Sequence, residues 1–143
     1  MSAYPPIRDL LPHGDAIRQL ERLVEWAPGR AECTMRVEAG SRLVVDGRLE
    51  SVLLLEPMAQ AVAACLGHEA YLGGEGVRVG MIVACRTLEV RVPSVPVGAA
   101  LRILAQRVRG NDATSHFDCA VWWDDGLGLV ATSTLTLVHD RPR

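Results

Sequence analysis

Glu56 and Gln60 are the only polar side chains in the run from Val52 to Leu66, which is otherwise apolar around its whole circumference. Four positions apart, they share one face of a helix. A carboxylate in such surroundings is costly unless it is paired, hydrogen-bonded or protonated. A carboxyl whose pKa is raised by burial can act as a general acid, and an ionised one can activate water. Against this stands a plain packing role, in which Glu56 bonds Gln60 or a loop amide, and the two readings weigh about equally. Pro57 cannot donate to the carbonyl of Leu53, so the helix either begins late or kinks there. Both outcomes free backbone groups beside Glu56.

The other reactive residues are scattered. His13 lies in a loop after Pro12, where it either takes part in chemistry or packs the N-terminal segment. His68 precedes Glu69 late in the helix, which suggests a surface or interface position. His116 and His139 read as structural. Leu72 stands where H-E-x-x-H would need its second histidine, so no metal site is expected. Cys33, Cys65, Cys85 and Cys119 show no C-x-x-C spacing and read as small buried residues in a reducing compartment. All basic residues are arginine, which suits phosphate recognition but has a simpler cause in biased genomic composition. The net charge of -2 gives no reason to expect nucleic acid. The N-terminus, M-S-A-Y-P-P-I-R-D-L-L, lacks an apolar signal core, so a cytoplasmic location is expected.

These residues need a frame. The stretch Ser51 to Leu72 is apolar on all sides, as a buried central helix is. Its apolar run is shorter than the ~20 residues that cross a bilayer, and it carries a carboxylate, so no membrane span is expected. A length of 143 residues suits one domain over 1–143. Before the helix, I-R-D-L-L reads as a short helical segment, and Ile17 to Trp26 has helical spacing. Ala31 to Val37 reads as a strand, and Ala39 to Glu50 as a connection with two turn signals. After it, Val77 to Val92, Ala99 to Arg109, Thr114 to Trp123 and Leu127 to Val138 read as strands. Pro93 to Gly98 separates the first two, and Asp124-Asp125-Gly126 signals a hairpin between the last two. In the last strand Leu129, Ala131, Ser133, Leu135 and Leu137 share one face. A long central helix wrapped by a curved antiparallel meander, an α+β architecture, follows. Sheet edges of that length are commonly managed by dimerisation.

Three passages carry a resemblance over nearly the whole chain. L-L-P-H at Leu10 to His13 is followed, without gaps, by Glu21-Arg22 at the place of a D-R pair. L-E-P-M-A-Q at Leu55 to Gln60 matches E-A-M-A-Q. P-x-x-P-V-G at Pro93 to Gly98 matches a P-V-x-P-G-D turn. The chain resembles the hotdog-fold 3-hydroxyacyl-(acyl-carrier-protein) dehydratases. It is more similar to a divergent branch, the predicted dehydratases of aryl-polyene-type biosynthetic clusters, which share D-G-x-L and E-x-M-A-Q-A-x-A-A, here Asp46 to Leu49 and Glu56 to Ala64. The resemblance implies that Ile17 to Trp26 is a strand despite its spacing.

It also implies dehydration of 3-hydroxyacyl thioesters to trans-2-enoyl thioesters. No cofactor is expected beyond the substrate's own phosphopantetheine arm on an acyl carrier protein. The implied partner is a second hotdog chain, as homodimer or as heterodimer with a paralogue. Glu56 and His13 are the candidate catalytic residues; Ser51, Val52, Gln60, Asp46 and Gly47 are the candidate substrate contacts. Amides around Ser51 to Leu53, at the positive end of the helix, would receive the developing oxyanion. One departure stands out: the family's G-H-F-P histidine is absent, and V-V-D-G-R-L, Val44 to Leu49, occupies that loop. Ser51 stands at the family's glycine, and its amide can still donate. Two rival readings stay open, an acyl-thioesterase in which Glu56 activates water and a non-catalytic subunit that stabilises an active paralogue. Arg102, Arg107 and Arg109 beside Trp122-Trp123 could dock an acidic carrier, although solvated strand residues explain them more simply.

Overall fold

Alternation along the strands decides which face of the sheet meets the helix. In the computed structural model, which describes residues 3–11, 18–74, 80–111 and 113–139, nine strands are formed. They are β1 (Arg22–Ala27), β2 (Arg30–Arg36), β3 (Val44–Val45), β4 (Arg48–Glu50), β5 (Gly80–Val90), β6 (Ser94–Pro96), β7 (Ala100–Gly110), β8 (Thr114–Trp123) and β9 (Leu129–His139). Leu101, Ile103 and Ala105 of β7, Phe117, Cys119 and Val121 of β8, and Ala131, Ser133, Leu135 and Leu137 of β9 all turn inward and are buried. Against them lies α1 (Leu55–Leu72), preceded by a 3-10 turn over Ser51–Leu54. Met58, Ala61, Ala64 and Cys65 are fully buried on the facing side of the helix. Burying a side chain the size of Met58 contributes roughly 1.5–3 kcal/mol. The alanines let the sheet come close.

The large sheet runs β1-β2-β7-β8-β9-β5, antiparallel throughout. Irregularities in pairing between Leu23 and Glu25, Arg107 and Arg109, Ile82 and Ala84, and Cys85 and Thr87 bend it around α1. Only β7-β8-β9 form the expected meander; β5 instead pairs with β9 and ends the sheet. The result is the hotdog architecture that the resemblance implies.

Several expectations change in detail. The α-helix starts late, at Leu55, which puts Pro57 in its first turn where a missing N–H costs nothing. The helical spacing near Trp26 is overruled: Arg22–Ala27 is a strand paired with β2, and Ile17 lies outside the described residues. The segment I-R-D-L-L forms only a 3-10 turn, Ile7–Asp9. The connection from Ala39 to Glu50 holds the β3–β4 hairpin, whose Asp46 and Gly47 have φ of 53° and 73°. That hairpin joins β6 in a three-stranded sheet. Strands of two and three residues are too short to show periodicity. By length and composition alone Ser51–Leu72 is apolar enough to cross a membrane, yet 67% of its most apolar window is buried in the protein, as befits a core helix.

Candidate functional site

The first turn of α1 carries a chain of hydrogen bonds. Gln60 is fully buried. Its Oε1 accepts the backbone N–H of Gln19 at 2.8 Å, and its Nε2 donates to Glu56 Oε1 at 3.1 Å. The side-chain oxygen of Gln19 in turn accepts the Ser41 hydroxyl at 3.3 Å. Because a backbone N–H can only donate, Gln60 Oε1 must accept, and Nε2 is thereby aimed at Glu56. Glu56 Oε1 is thus held as an acceptor. Glu56 is half-buried, between the sealed core and solvent.

Ser51 begins the 3-10 turn in full burial. Its backbone N–H donates to Pro93 O at 3.0 Å, so this amide is already engaged. Its hydroxyl is buried and, among the described residues, has no hydrogen-bond partner. The oxyanion role expected of Ser51 to Leu53 therefore narrows to Val52 and Leu53, whose N–H groups open the turn and have no intrahelical acceptor. Val52 is half exposed, at 50%. At roughly 1.5–2 Å of rise per residue, its amide stands about 6–8 Å along the axis from Glu56.

Asp46 and Gly47 sit at the exposed tip of the β3–β4 hairpin, both at positive φ. The tip is tied to the small sheet: Gly47 O accepts the N–H of Val97 at 3.0 Å, and Arg48 Nε donates to Ser94 Oγ at 2.6 Å. Asp46 is thus a turn residue, and neither it nor Gly47 bonds to Glu56. His13 lies outside the described residues.

Neither His68 nor His116 bonds to this cluster. His68 is not a surface residue: it is 6% exposed. Its ring meets Tyr4 and Trp26 edge-on at 5.3 and 4.7 Å and stacks on Tyr71 at 5.8 Å. Burial lowers its pKa below the ordinary 6.5. Twelve residues beyond Glu56, it stands about 18 Å away along the helix. His116 Nδ1 bonds Thr136 Oγ1 at 2.9 Å on the other face of the sheet.

Cys33, Cys65 and Cys119 are buried, and burial pushes the thiols of Cys65 and Cys119 up to about 12, out of the nucleophilic range. Cys85 is exposed on β5, contrary to the expectation for it. Among the described residues no three His, Cys, Asp or Glu side chains come together as a metal ion would require. Of the three arginines that could have formed a docking face, two are engaged in ion pairs. Arg107 clasps both oxygens of Glu69 at 2.9 and 3.0 Å, and Arg102 lies 3.4 Å from both Glu32 and Asp124.

A family model for the ApeP-like dehydratases, described as ApeP dehydratase, matches residues 5–141. The chain belongs to this family. Its structure is similar to the dehydratase heterocomplex ApeI:P from Xenorhabdus doucetiae, with a TM-score of 0.87 and 22% identity over 98% of this chain and 93% of that one. A hypothetical thioesterase with coenzyme A from Streptococcus pneumoniae TIGR4 follows at 0.67 and 16% identity, covering 85% of this chain and 87% of the other. The PaaI protein of E. coli gives 0.64 and 17%, covering 85% and 79%. At these identities the structural likenesses speak for the fold alone. No curated protein sequence matches.

Sequence reasoning found Glu56 and Gln60 but missed Gln19. It contributes a backbone N–H to Gln60 and a side-chain acceptor to Ser41, and no motif encodes the first of these. The engagement of the Ser51 amide by Pro93 was equally hidden, since it joins segments 42 residues apart.

Proposed function

We propose that the chain dehydrates 3-hydroxyacyl thioesters carried on the phosphopantetheine arm of an acyl carrier protein, as one half of a hotdog pair. The observation that carries this reading is Glu56, half-buried on the Gln19–Gln60 relay at the open end of α1, in a chain of a dehydratase family. A base removes the proton at C2, the C2–C3 double bond forms, and the C3–O bond breaks. Glu56 gives its proton to the departing hydroxyl, which leaves as water. The Val52 and Leu53 amides receive the charge on the thioester oxygen. The base is His13 or a residue of the partner, since no described histidine reaches Glu56. A heterodimer suits this division of labour, and the structural likeness to a dehydratase heterocomplex supports it. The expected setting is cytoplasmic fatty-acid, polyketide or aryl-polyene-type synthesis, with no cofactor of the protein's own.

The absence of the G-H-F-P histidine from the sequence favours one second reading, a non-catalytic subunit that shapes a paralogue's tunnel. Incubation with a 3-hydroxyacyl pantetheine thioester, alone and with the co-purifying hotdog chain, separates the two. Enoyl absorbance that falls on the order of 10²–10⁴-fold in Glu56→Gln supports the catalytic role. Undiminished turnover in that variant removes Glu56 from the chemistry and leaves the supporting role. Release of free thiol without enoyl product would instead mark a thioesterase.

A further inference from the structure

A cleft of about 440 Å³ lies between the N-terminal segment and the start of β1. Three guanidinium groups, Arg8, Arg18 and Arg22, line it together with one carboxylate, Glu21. Its apolar wall is Tyr4, Pro5 and Pro6. We infer that this cleft binds a small phosphate ester, its phosphate held by the arginines and its apolar body lying against Tyr4 and the two prolines.

Each arginine is presented by an independently anchored piece of backbone. Arg8 sits mid-way in the Ile7–Asp9 turn, closed by Asp9 N–H to Pro6 O at 2.9 Å and Leu10 N–H to Ile7 O at 3.0 Å. With Ile7 buried, Arg8 projects outward. Arg22 alternates with buried Leu23 on β1 and is exposed, next to Glu21, whose N–H is fixed on Thr34 O at 2.7 Å. Arg18 precedes Gln19, which Gln60 holds. Tyr4 is fixed as well: its hydroxyl accepts the Trp26 N–H at 3.0 Å and its ring abuts His68.

Among the described residues neither Arg8 nor Arg22 has an acceptor paired with it. Two positive forks are therefore held close together with their hydrogen-bonding capacity unspent. A planar guanidinium fork matches phosphate oxygens in pairs. The volume falls within the ~300–1,000 Å³ of small-molecule sites. Its concavity favours such a ligand over the acidic face of a protein, and the apolar wall favours an ester over a bare anion.

The test is calorimetric titration of the full chain, with its hotdog partner if one co-purifies, at low salt. The probes are phenyl phosphate, inorganic phosphate and a hexaglutamate peptide. Phenyl phosphate should bind at least ~10-fold tighter than inorganic phosphate. Arg8→Gln and Arg22→Gln, both at exposed positions, should each weaken it about 10-fold, the loss of one charge-assisted contact. Glu21→Gln should tighten it. Equal binding of phenyl and inorganic phosphate, no saturable binding, or indifference to both arginine variants would overturn the inference. Tighter binding of hexaglutamate at the same arginines would overturn it too, in favour of an acidic protein surface.

Discussion

The two ends of α1 are built for different purposes. At the C-terminal end most groups are committed, although His68 Nδ1 and Arg107 Nε are buried without a hydrogen-bond partner among the described residues. Gly67 packs so closely under the N-terminal segment that a Cβ there would collide with Leu10 O. Glu69 holds Arg107 and also accepts the Gly29 N–H at 3.1 Å, and Trp26 Nε1 donates to Cys65 O at 3.1 Å. The N-terminal end has Glu56 half in solvent, Val52 exposed and the Ser51 hydroxyl without a partner. One end fixes the helix in the fold. The other spends stability on polar groups that a substrate or partner can meet, as functional sites do.

That contrast breaks most severely at Gly67. Gly67→Ala places a methyl against backbone that cannot rotate away, and overpacking of this kind should cost about 3 kcal/mol. At a few degrees per kcal/mol, thermal unfolding should shift down by roughly 6–12 °C. An unchanged melting temperature would mean that the N-terminal segment does not lie where Leu10 places it. Next comes the ion pair. Arg107 and Glu69 are 28% and 20% exposed, so solvent screens them in part. Glu69→Gln leaves Arg107 short of its charge partner and should cost about 2 kcal/mol, below the 3–5 of a sealed pair. A double-mutant cycle with Arg107→Gln isolates the coupling, and additivity would show the pair to be idle. Both variants should leave the activity proposed for Glu56 intact.

The difference between the ends was only half visible in the sequence. The open end was marked because Glu56 and Gln60 are the sole polar residues in an apolar run, although only Gln60 is fully buried and Glu56 is half in solvent. The β7, β8 and β9 strands were equally legible from alternation and the Asp124–Gly126 turn. The committed end was not. His68 sits beside a charged neighbour and so looks like surface; only the fold brings Tyr4 and Trp26 over it. Arg107 looked like one of three exposed strand arginines until β7 was seen to pass Glu69. Such pairings join residues 38 to 64 positions apart, beyond any local pattern. The small β3–β4–β6 sheet escaped for the opposite reason, that its strands are too brief to alternate.

A smaller effect of opposite sign is expected at Ser51. Its buried, unpartnered hydroxyl carries an uncompensated desolvation cost of roughly 1–3 kcal/mol. Ser51→Ala keeps the backbone N–H to Pro93 and removes that cost, so stability should rise by about 1 kcal/mol, read as a higher denaturant midpoint at unchanged slope. A loss of stability would show that the hydroxyl is satisfied by a group brought in by a partner chain.

The smallest effect, absent at neutral pH, belongs to His68. Burial among Tyr4, Trp26 and Tyr71 disfavours its charged form, so the folded chain binds the proton more weakly than the unfolded chain, where the ordinary value of 6.5 applies. As pH falls through 6.5 the unfolded chain takes up a proton that the folded chain still refuses, and linkage shifts the balance toward unfolding. The contribution is complete above 6.5 and is lost as pH falls toward the lower folded value. His68→Phe keeps a flat ring in the aromatic cluster but cannot titrate. The melting temperature of the unmodified chain should therefore fall more steeply between pH 7.5 and 5, on the order of the proton range itself, than that of the variant. Parallel curves would mean that His68 is as free to charge when folded as when unfolded, and that this end of the helix is less tightly closed than its packing indicates.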